Sequence, residues 1–335
     1  LTFNRYMSEI NVKYGENLRP FPAPATVLDA FKALDRDVLK RTLAAKVNGE
    51  QVDLGSSLPE TGETVVIEPI TSDSDDGLEL IRHSTAHLLA AAILDLFPGT
   101  KLGVGPALME DPRYGYYYDI IAPRQLTEAD LPVIEKKMKA MAKQNLPYRR
   151  EIVEKARILD IFEGREEPLK CELISDKVTD TASIYYIDNS PFIDFCLGPH
   201  VPHTGKLGAF KLLALSGAYW KGDATREQMQ RIYGTAFARQ EELDAWLKQR
   251  EEAEKRDHRK LGRELDLFSI SDDYGQGLIL WHPKGGIVRM EMERLLREEL
   301  EQRGYSFVFT PHIAKRALWV TSGHEGNYSD SMYAP

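Results

Sequence analysis

Two short motifs carry the most reactive side chains of this sequence. His83-Ser84-Thr85-Ala86-His87 is H-x-x-x-H, and Cys196-Leu197-Gly198-Pro199-His200 is C-x-x-x-H. On a helix, residues i and i+4 are neighbours, so the imidazoles of His83 and His87 can converge on one point. A Gly-Pro turn separates Cys196 from His200 and can fold those two side chains together. Three imidazoles and one thiolate make a tetrahedral zinc set. H-x-x-x-H alone is commonly a pair of ordinary helix histidines. C-x-x-x-H tips the balance, because it uses one of only two cysteines, Cys171 and Cys196.

The elements that must position these residues follow from periodicity. Residues from about 78 to 97 read as a helix. At ~100° per residue, Leu78, Ile81, Leu88, Leu89, Ala92 and Leu96 share one side. His83 and His87 fall opposite, among Leu80, Ala86, Ala90 and Leu94, so both faces are expected to be buried and the histidines to wall a pocket. Ahead of this helix, residues 7–71 read as a β-rich unit. Ile10 to Val12 and Thr64 to Ile67 are strand-like, Ala45 to Glu50 is a strand entering a turn, and Thr26 caps a helix through Val27, Leu28, Phe31 and Leu34. That order predicts a ubiquitin-like β-grasp. Thr71 to Gly77 is a polar link. Residues 101–125 read as strands and turns, Glu128 to Lys143 as an amphipathic helix, and residues 164–220 as strands and loops. One long charged helix is predicted from about Glu241 to Glu264, then a helix from Val288 to Arg303 and a strand from Tyr305 to Pro311. The expected class is α+β.

At 335 residues the chain has room for two or three domains. Two cysteines exclude a disulfide framework and favour a reducing, cytoplasmic setting. No apolar run approaches the ~20 residues of a membrane span, and no signal peptide is visible. The net charge of −9 argues mildly against nucleic acid as a partner, although binding depends on a local patch rather than on the sum. Met7-Ser8-Glu9-Ile10 reads as a natural beginning, and Ser331 to Pro335 stops without a cap or polar tail; the expectation is a truncated reading frame with a short upstream extension.

H-x-x-x-H followed by C-x-x-x-H is shared by the editing domains of threonyl- and alanyl-tRNA synthetases. The flanking residues choose between them. Cys196 to Pro202, Thr204-Gly205-Lys206, Gly208 to Leu213, Gly217 to Trp220 and Gln230 to Phe237 resemble the threonyl version. Arg256-Asp257-His258-Arg259-Lys260-Leu261-Gly262 resembles that family's junction into its catalytic domain, and Trp281 to Gly285 with the segment ending at Pro311 resembles its entry into class II motif 1. The resemblance runs from about residue 8 to the end. It implies a TGS (β-grasp) domain at 7–71, an editing domain at 72–238, a linker helix at 239–262, and the first part of an antiparallel class II catalytic domain at 263–335.

By this resemblance His83 and Lys170 activate water or stabilise charge, Asp194 binds the seryl ammonium or hydroxyl, and His87, Cys196 and His200 shape and polarise the pocket, with His200 counted among the catalytic set. Tyr117 and Tyr118 are expected against the terminal adenosine, since unpaired bases stack on aromatic rings. Arg149, Arg150, Lys248, Arg250, Lys255, Arg256, Arg259 and Lys260 are the candidates for tRNA contact. Spacing alone makes His83, His87, Cys196 and His200 a zinc site; the resemblance implies instead a metal-free threonyl-type site, with the family's single Zn²⁺, ATP and Mg²⁺ serving the aminoacylation site of the full-length homodimer. The reaction implied is hydrolysis of mischarged Ser-tRNA(Thr), alongside ATP-dependent attachment of L-threonine to tRNA(Thr) by the full-length enzyme. One missing methyl discriminates by only about 1–3 kcal/mol, so a second, hydrolytic site is needed.

Two departures qualify the resemblance. Leu197 stands where the family usually has arginine, which weakens an expected phosphate or tRNA contact. The sequence ends after motif 1, so this chain is expected to edit but not to aminoacylate, and to expose apolar surface such as Val308 and Phe309. The competing readings are a free-standing trans-editing hydrolase and a non-enzymatic RNA-binding module.

Overall fold

Alternation sets the first sheet. In β1 (Glu9–Tyr14), Ile10 and Val12 are buried while Glu9, Asn11 and Lys13 face out, the period-2 pattern of a half-buried strand. A computed structural model describes residues 9–275 and 277–328; the expected start at Met7 and the Ser331–Pro335 end lie outside them. β1 pairs antiparallel with β2 (Asn17–Pro22) and parallel with β5 (Val65–Thr71), which pairs antiparallel with β3 (Thr42–Val47), itself paired with β4 (Glu50–Val52). The order β2-β1-β5-β3-β4 is the β-grasp expected. Two helices, α1 (Val27–Leu34) and α2 (Arg36–Leu39), sit between β2 and β3. The Thr26 hydroxyl accepts the Asp29 N–H at 3.1 Å and the Asp29 carboxylate accepts the Thr26 N–H at 3.3 Å, a reciprocal cap. α1 presses Val27, Ala30 and Phe31 onto Val12, Val65 and Ile67, all fully buried. Each such large side chain contributes about 1.5–3 kcal/mol of apolar burial.

The second layer is built round α3 (Asp75–Leu96), capped by Ser74, whose hydroxyl accepts the Gly77 N–H at 3.1 Å. Almost every residue from Leu80 to Leu94 is buried, so the helix is enclosed on both faces, as the wheel predicts. It packs on β7 (Tyr116–Ile121) and β12 (Gln228–Phe237) and on α4 (Leu131–Ala142). Those strands belong to the antiparallel sheet β11-β12-β7-β6, completed by β6 (Lys101–Leu102) and β11 (Ala209–Tyr219). A three-stranded sheet, β10-β9-β8, comprises β8 (Tyr148–Glu154), β9 (Thr181–Ile187) and β10 (Ile193–Phe195). α5 (Lys155–Gly164) and α6 (Pro168–Lys177) share a core with that sheet through Ile158, Phe162, Ile174, Ile184 and Phe195. α6 stands where strands and loops were expected. Its apolar stripe is reduced to Leu169 and Ile174, because Lys170 is buried beside them; Pro168 opens it, a position where the missing N–H costs nothing.

The described chain divides into two compact units between Glu251 and Glu252, inside α7 (Gln240–Lys255). The charged connector is two helices rather than one. Asp257 accepts the Arg259 N–H at 2.8 Å and caps α8 (His258–Glu264), a local bond that competes with continuing α7. The later unit holds a hairpin of β13 (Phe268–Ile270) and β14 (Ile279–Trp281), then α9 (Pro283–Gln302), α10 (Arg316–Thr321) and α11 (His324–Asn327). α9 covers the expected helix. The expected strand from Tyr305 to Pro311 is irregular backbone: among the described residues no strand lies beside it to take up its N–H and C=O groups.

Candidate active site

α3 delivers His83 and His87 one turn apart, with ring centroids 4.7 Å apart. The segment after β10 delivers Cys196 and His200. His200 stacks on His83 at 4.6 Å and meets His87 at 4.2 Å. One ligand-capable atom from each of the four lies within 4.8 Å of the others. The predicted quartet is therefore assembled from two segments more than a hundred residues apart in sequence.

The hydrogen bonds fix several proton positions. His83 Nδ1 lies 3.3 Å from the Gly105 carbonyl, which can only accept, so Nδ1 carries the proton of the neutral ring. Nε2 is then an acceptor, and the Cys196 thiol sits 3.0 Å from it. Burial pushes that thiol up to about 12, so at neutral pH it is S–H and donates to Nε2. Burial also lowers His83, and lowers His87 and His200 well below the usual imidazole value, with neighbouring histidines adding to the effect. All three rings are neutral near pH 7. The Ser84 hydroxyl accepts the Val201 N–H at 3.1 Å and lies 3.0 Å from His200 Nδ1.

Beside the quartet is a second, charged cluster. The Lys170 ammonium, from α6, pairs with Asp194 Oδ1, and the Tyr118 hydroxyl donates to Asp194 Oδ2. All three side chains are buried. His87 Nε2 is 3.9 Å from Asp194 Oδ2. Burial, with the Asp194 charge second, pushes the Tyr118 phenol well above its ordinary value and keeps it a donor. Both clusters open into one pocket of about 560 Å³, walled further by Gly105, Pro106 and Leu173. A side chain at Gly105 would meet the Tyr118 ring at 2.2 Å, so only glycine lets the loop pass this close.

The donor set fits zinc. His87 Nδ1 and His200 Nε2 are buried with no protein partner, and the His83 N–H on a backbone carbonyl is the outer-shell bond that orients a ligating imidazole. The same atoms equally suit a network of neutral rings around a water or a substrate.

Two family models match the chain. One, described as the threonyl and alanyl tRNA synthetase second additional domain, matches residues 182–233; the TGS domain matches residues 10–67. A threonine--tRNA ligase of Citrifermentans bemidjiense is 44% identical over 328 residues, 98% of this chain and 50% of that protein. That of Acidithiobacillus ferrooxidans is 44% identical over 330 residues, with the same coverage. That of Geobacillus kaustophilus is 43% identical over 317 residues, 95% of this chain and 47% of the relative. The chain is a homologue of the threonyl-tRNA synthetases. It spans about half the length of the curated relatives it matches.

Not every residue singled out from the synthetase resemblance reaches this pocket. His83, His87, Lys170, Asp194 and Cys196 line it, with His200 behind the imidazoles; Tyr118 is fully buried behind Asp194, so its ring offers no face to a base. Tyr117 does not reach it. It follows the pleat of β7 to the opposite face from Tyr118, where Arg231 lies 3.8 Å over its ring. Of the candidate tRNA contacts, Arg149 lies over the Tyr186 ring and pairs with Asp188 at 3.4 Å. Arg150 lies 3.7 Å from Asp53. In the later unit Lys255 pairs with Glu252 at 3.2 Å, Arg256 with Glu252 at 3.6 Å, Arg259 with Asp257 at 2.8 Å and Lys260 with Glu264 at 4.0 Å. These four are far from the pocket in sequence and already carry acidic partners. Leu197 is 77% exposed and lines the pocket. Sequence reading missed Ser84, Glu167, Tyr148, Tyr185 and Asp53. Glu167 accepts the Leu102 N–H at 3.0 Å, one turn before Lys170. Tyr148 stacks on His200 at 5.2 Å, and its hydroxyl donates to the Ser84 carbonyl at 2.6 Å.

Proposed function

We propose that this chain hydrolyses the ester of seryl-tRNA(Thr), and that the longer protein to which it corresponds also attaches L-threonine to tRNA(Thr). The observation that carries the reading is the meeting of the neutral His83/His87/Cys196/His200 set with the Lys170–Asp194–Tyr118 cluster at one open pocket. Ester hydrolysis needs a positioned water, a group to take its proton, and positive or donor character at the developing oxyanion. His83 Nε2 has its lone pair directed to the Cys196 thiol, and a water displacing that contact would have a base already in the right tautomer. The Lys170 ammonium supplies the pocket's positive charge, and its pairing with Asp194 holds it in place. Asp194, oriented by Tyr118 and Lys170, receives the substrate's ammonium or hydroxyl. A threonyl ester brings one more methyl into the same space, and selection rests on that methyl being refused.

If the quartet holds zinc, His83, His87, Cys196 and His200 are its ligands, and the ion would act as a Lewis acid toward water or the ester carbonyl. We favour the metal-free form: the Cys196 thiol and the His83 ring already satisfy one another at 3.0 Å as neutral groups.

For the full-length protein the proposal includes ATP, Mg²⁺ and one Zn²⁺ at the ligation site, a homodimer, and a cytoplasmic location. Among the described residues no helix is long and apolar enough to cross a membrane. Editing is proposed for the chain in hand. The test is to present Ser-tRNA(Thr) and Thr-tRNA(Thr) separately, with and without a chelator. Loss of the seryl ester only, unchanged by chelator, is expected; equal loss of both esters, or of neither, contradicts the proposal, and chelator sensitivity moves the quartet to the zinc form.

A further inference from the structure

Asp53 comes from the loop after β4, in the β-grasp sheet, yet its carboxylate ends inside the second domain. Oδ1 accepts the backbone N–H of His200 at 2.9 Å, and Oδ2 accepts the Tyr185 hydroxyl at 2.7 Å. Arg150 lies 3.7 Å from Oδ2. The side chain is 17% exposed, so two hydrogen bonds and the nearby guanidinium stand in for most of its water. Tyr185 is itself buried and meets the His200 ring edge-on, centroids 4.5 Å apart. A Cβ on Gly198 would lie 1.9 Å from the Tyr185 hydroxyl. The carboxylate therefore grips the Cys196–His200 loop twice: directly at the His200 amide, and through the Tyr185 hydroxyl that Gly198 allows the loop to approach.

We propose that Asp53 is a positioning residue for His200, so that the β-grasp domain is a working part of the pocket rather than a separate appendage. Its consequence for catalysis rests on the hydrolytic reading above; the geometric claim does not. The carboxylate holds the quartet's fourth member at its backbone N–H, while Ser84 meets its ring at Nδ1, and it does so across a domain boundary. Loss of it frees the loop without removing any group that faces the pocket.

The experiment uses the whole chain with Asp53→Ala, Asp53→Asn and Tyr185→Phe. Two quantities are read: single-turnover hydrolysis of Ser-tRNA(Thr) across substrate concentrations, and amide hydrogen exchange of Leu197, Gly198, His200 and Val201. Asp53→Ala is expected to speed exchange at His200 and to slow the saturated rate by about tenfold or more, the loss of a hydrogen bond to a charged group, with half-saturation unchanged. Asp53→Asn keeps an oxygen for the His200 N–H and should recover much of both readouts. Tyr185→Phe removes one of the two grips, tests the same claim if Asp53→Ala fails to fold, and should fall between. Wild-type exchange at His200 in both Asp53→Ala and Tyr185→Phe overturns the proposal, as does a wild-type rate in Asp53→Ala despite faster exchange. If the unsubstituted protein hydrolyses nothing, the functional reading falls, and exchange alone decides whether Asp53 positions the loop.

Discussion

The unit up to Glu251 and the unit from Glu252 onward treat apolar side chains in opposite ways. In the first, the described residues form continuous cores, around α3, under the β-grasp sheet and between α5, α6 and the β10-β9-β8 sheet, and the well-exposed large apolar residues are scattered, such as Leu18, Val133 and Ile152. Among the described residues of the second, only Gly262 and Gly285 are buried, while Ile279, Leu280, Trp281, Met290, Leu295, Leu296, Val308 and Phe309 are all exposed. The sequences differ little in hydrophobic character. What differs is whether the fold encloses those residues. The first unit pays its conformational entropy with its own burial; the described residues of the second leave a comparable apolar surface open.

The comparison is sharpened most by matched truncations. Leu89→Ala in α3 removes a fully buried side chain and is expected to destabilise the first unit by about 2–5 kcal/mol. Leu295→Ala in α9 removes one that is 59% exposed and should change stability by less than about 0.5 kcal/mol. Urea unfolding of each variant against the unsubstituted chain measures both. Equal effects would erase the distinction.

A smaller effect is expected from pH. Burial lowers His87 and His200 well below the ordinary imidazole value. The unfolded chain therefore binds more protons than the folded one once pH falls below about 6.5, and stability declines with falling pH until the folded-state values are passed. The first unit should melt at lower temperature at pH 5.5 than at pH 7.5, with chelator present in both, and His87→Gln should flatten that dependence. A melting temperature that rises on acidification would contradict the neutral-ring assignment.

The legible parts of the site were those written locally. His83 and His87 share a turn of one helix, Cys196 and His200 share a turn of chain, and Thr26 marks a helix start, so spacing alone placed them. Lys170 and Asp194 were reached through the family resemblance, since nothing about a lone lysine predicts burial. Tyr117 was misplaced because adjacent strand residues point to opposite faces, and only Tyr118 could turn inward. The strand from Tyr305 to Pro311 had the right residue types, but strand structure is a property of pairs, and no described neighbour supplies the pair. Asp53 left no trace in the sequence: its partners lie 132 and 147 residues away and meet it only when two domains pack.

The central claim is that the neutral histidine set and the Lys170–Asp194 cluster act as one hydrolytic pocket. Single-turnover deacylation of Ser-tRNA(Thr) by His83→Ala, Lys170→Ala and the double variant tests it most directly. The account predicts losses of about a hundredfold or more for each single variant and a double variant scarcely worse than either, as for groups that act as a unit. Single variants that hydrolyse at the unsubstituted rate, or losses that multiply in the double variant, would contradict it.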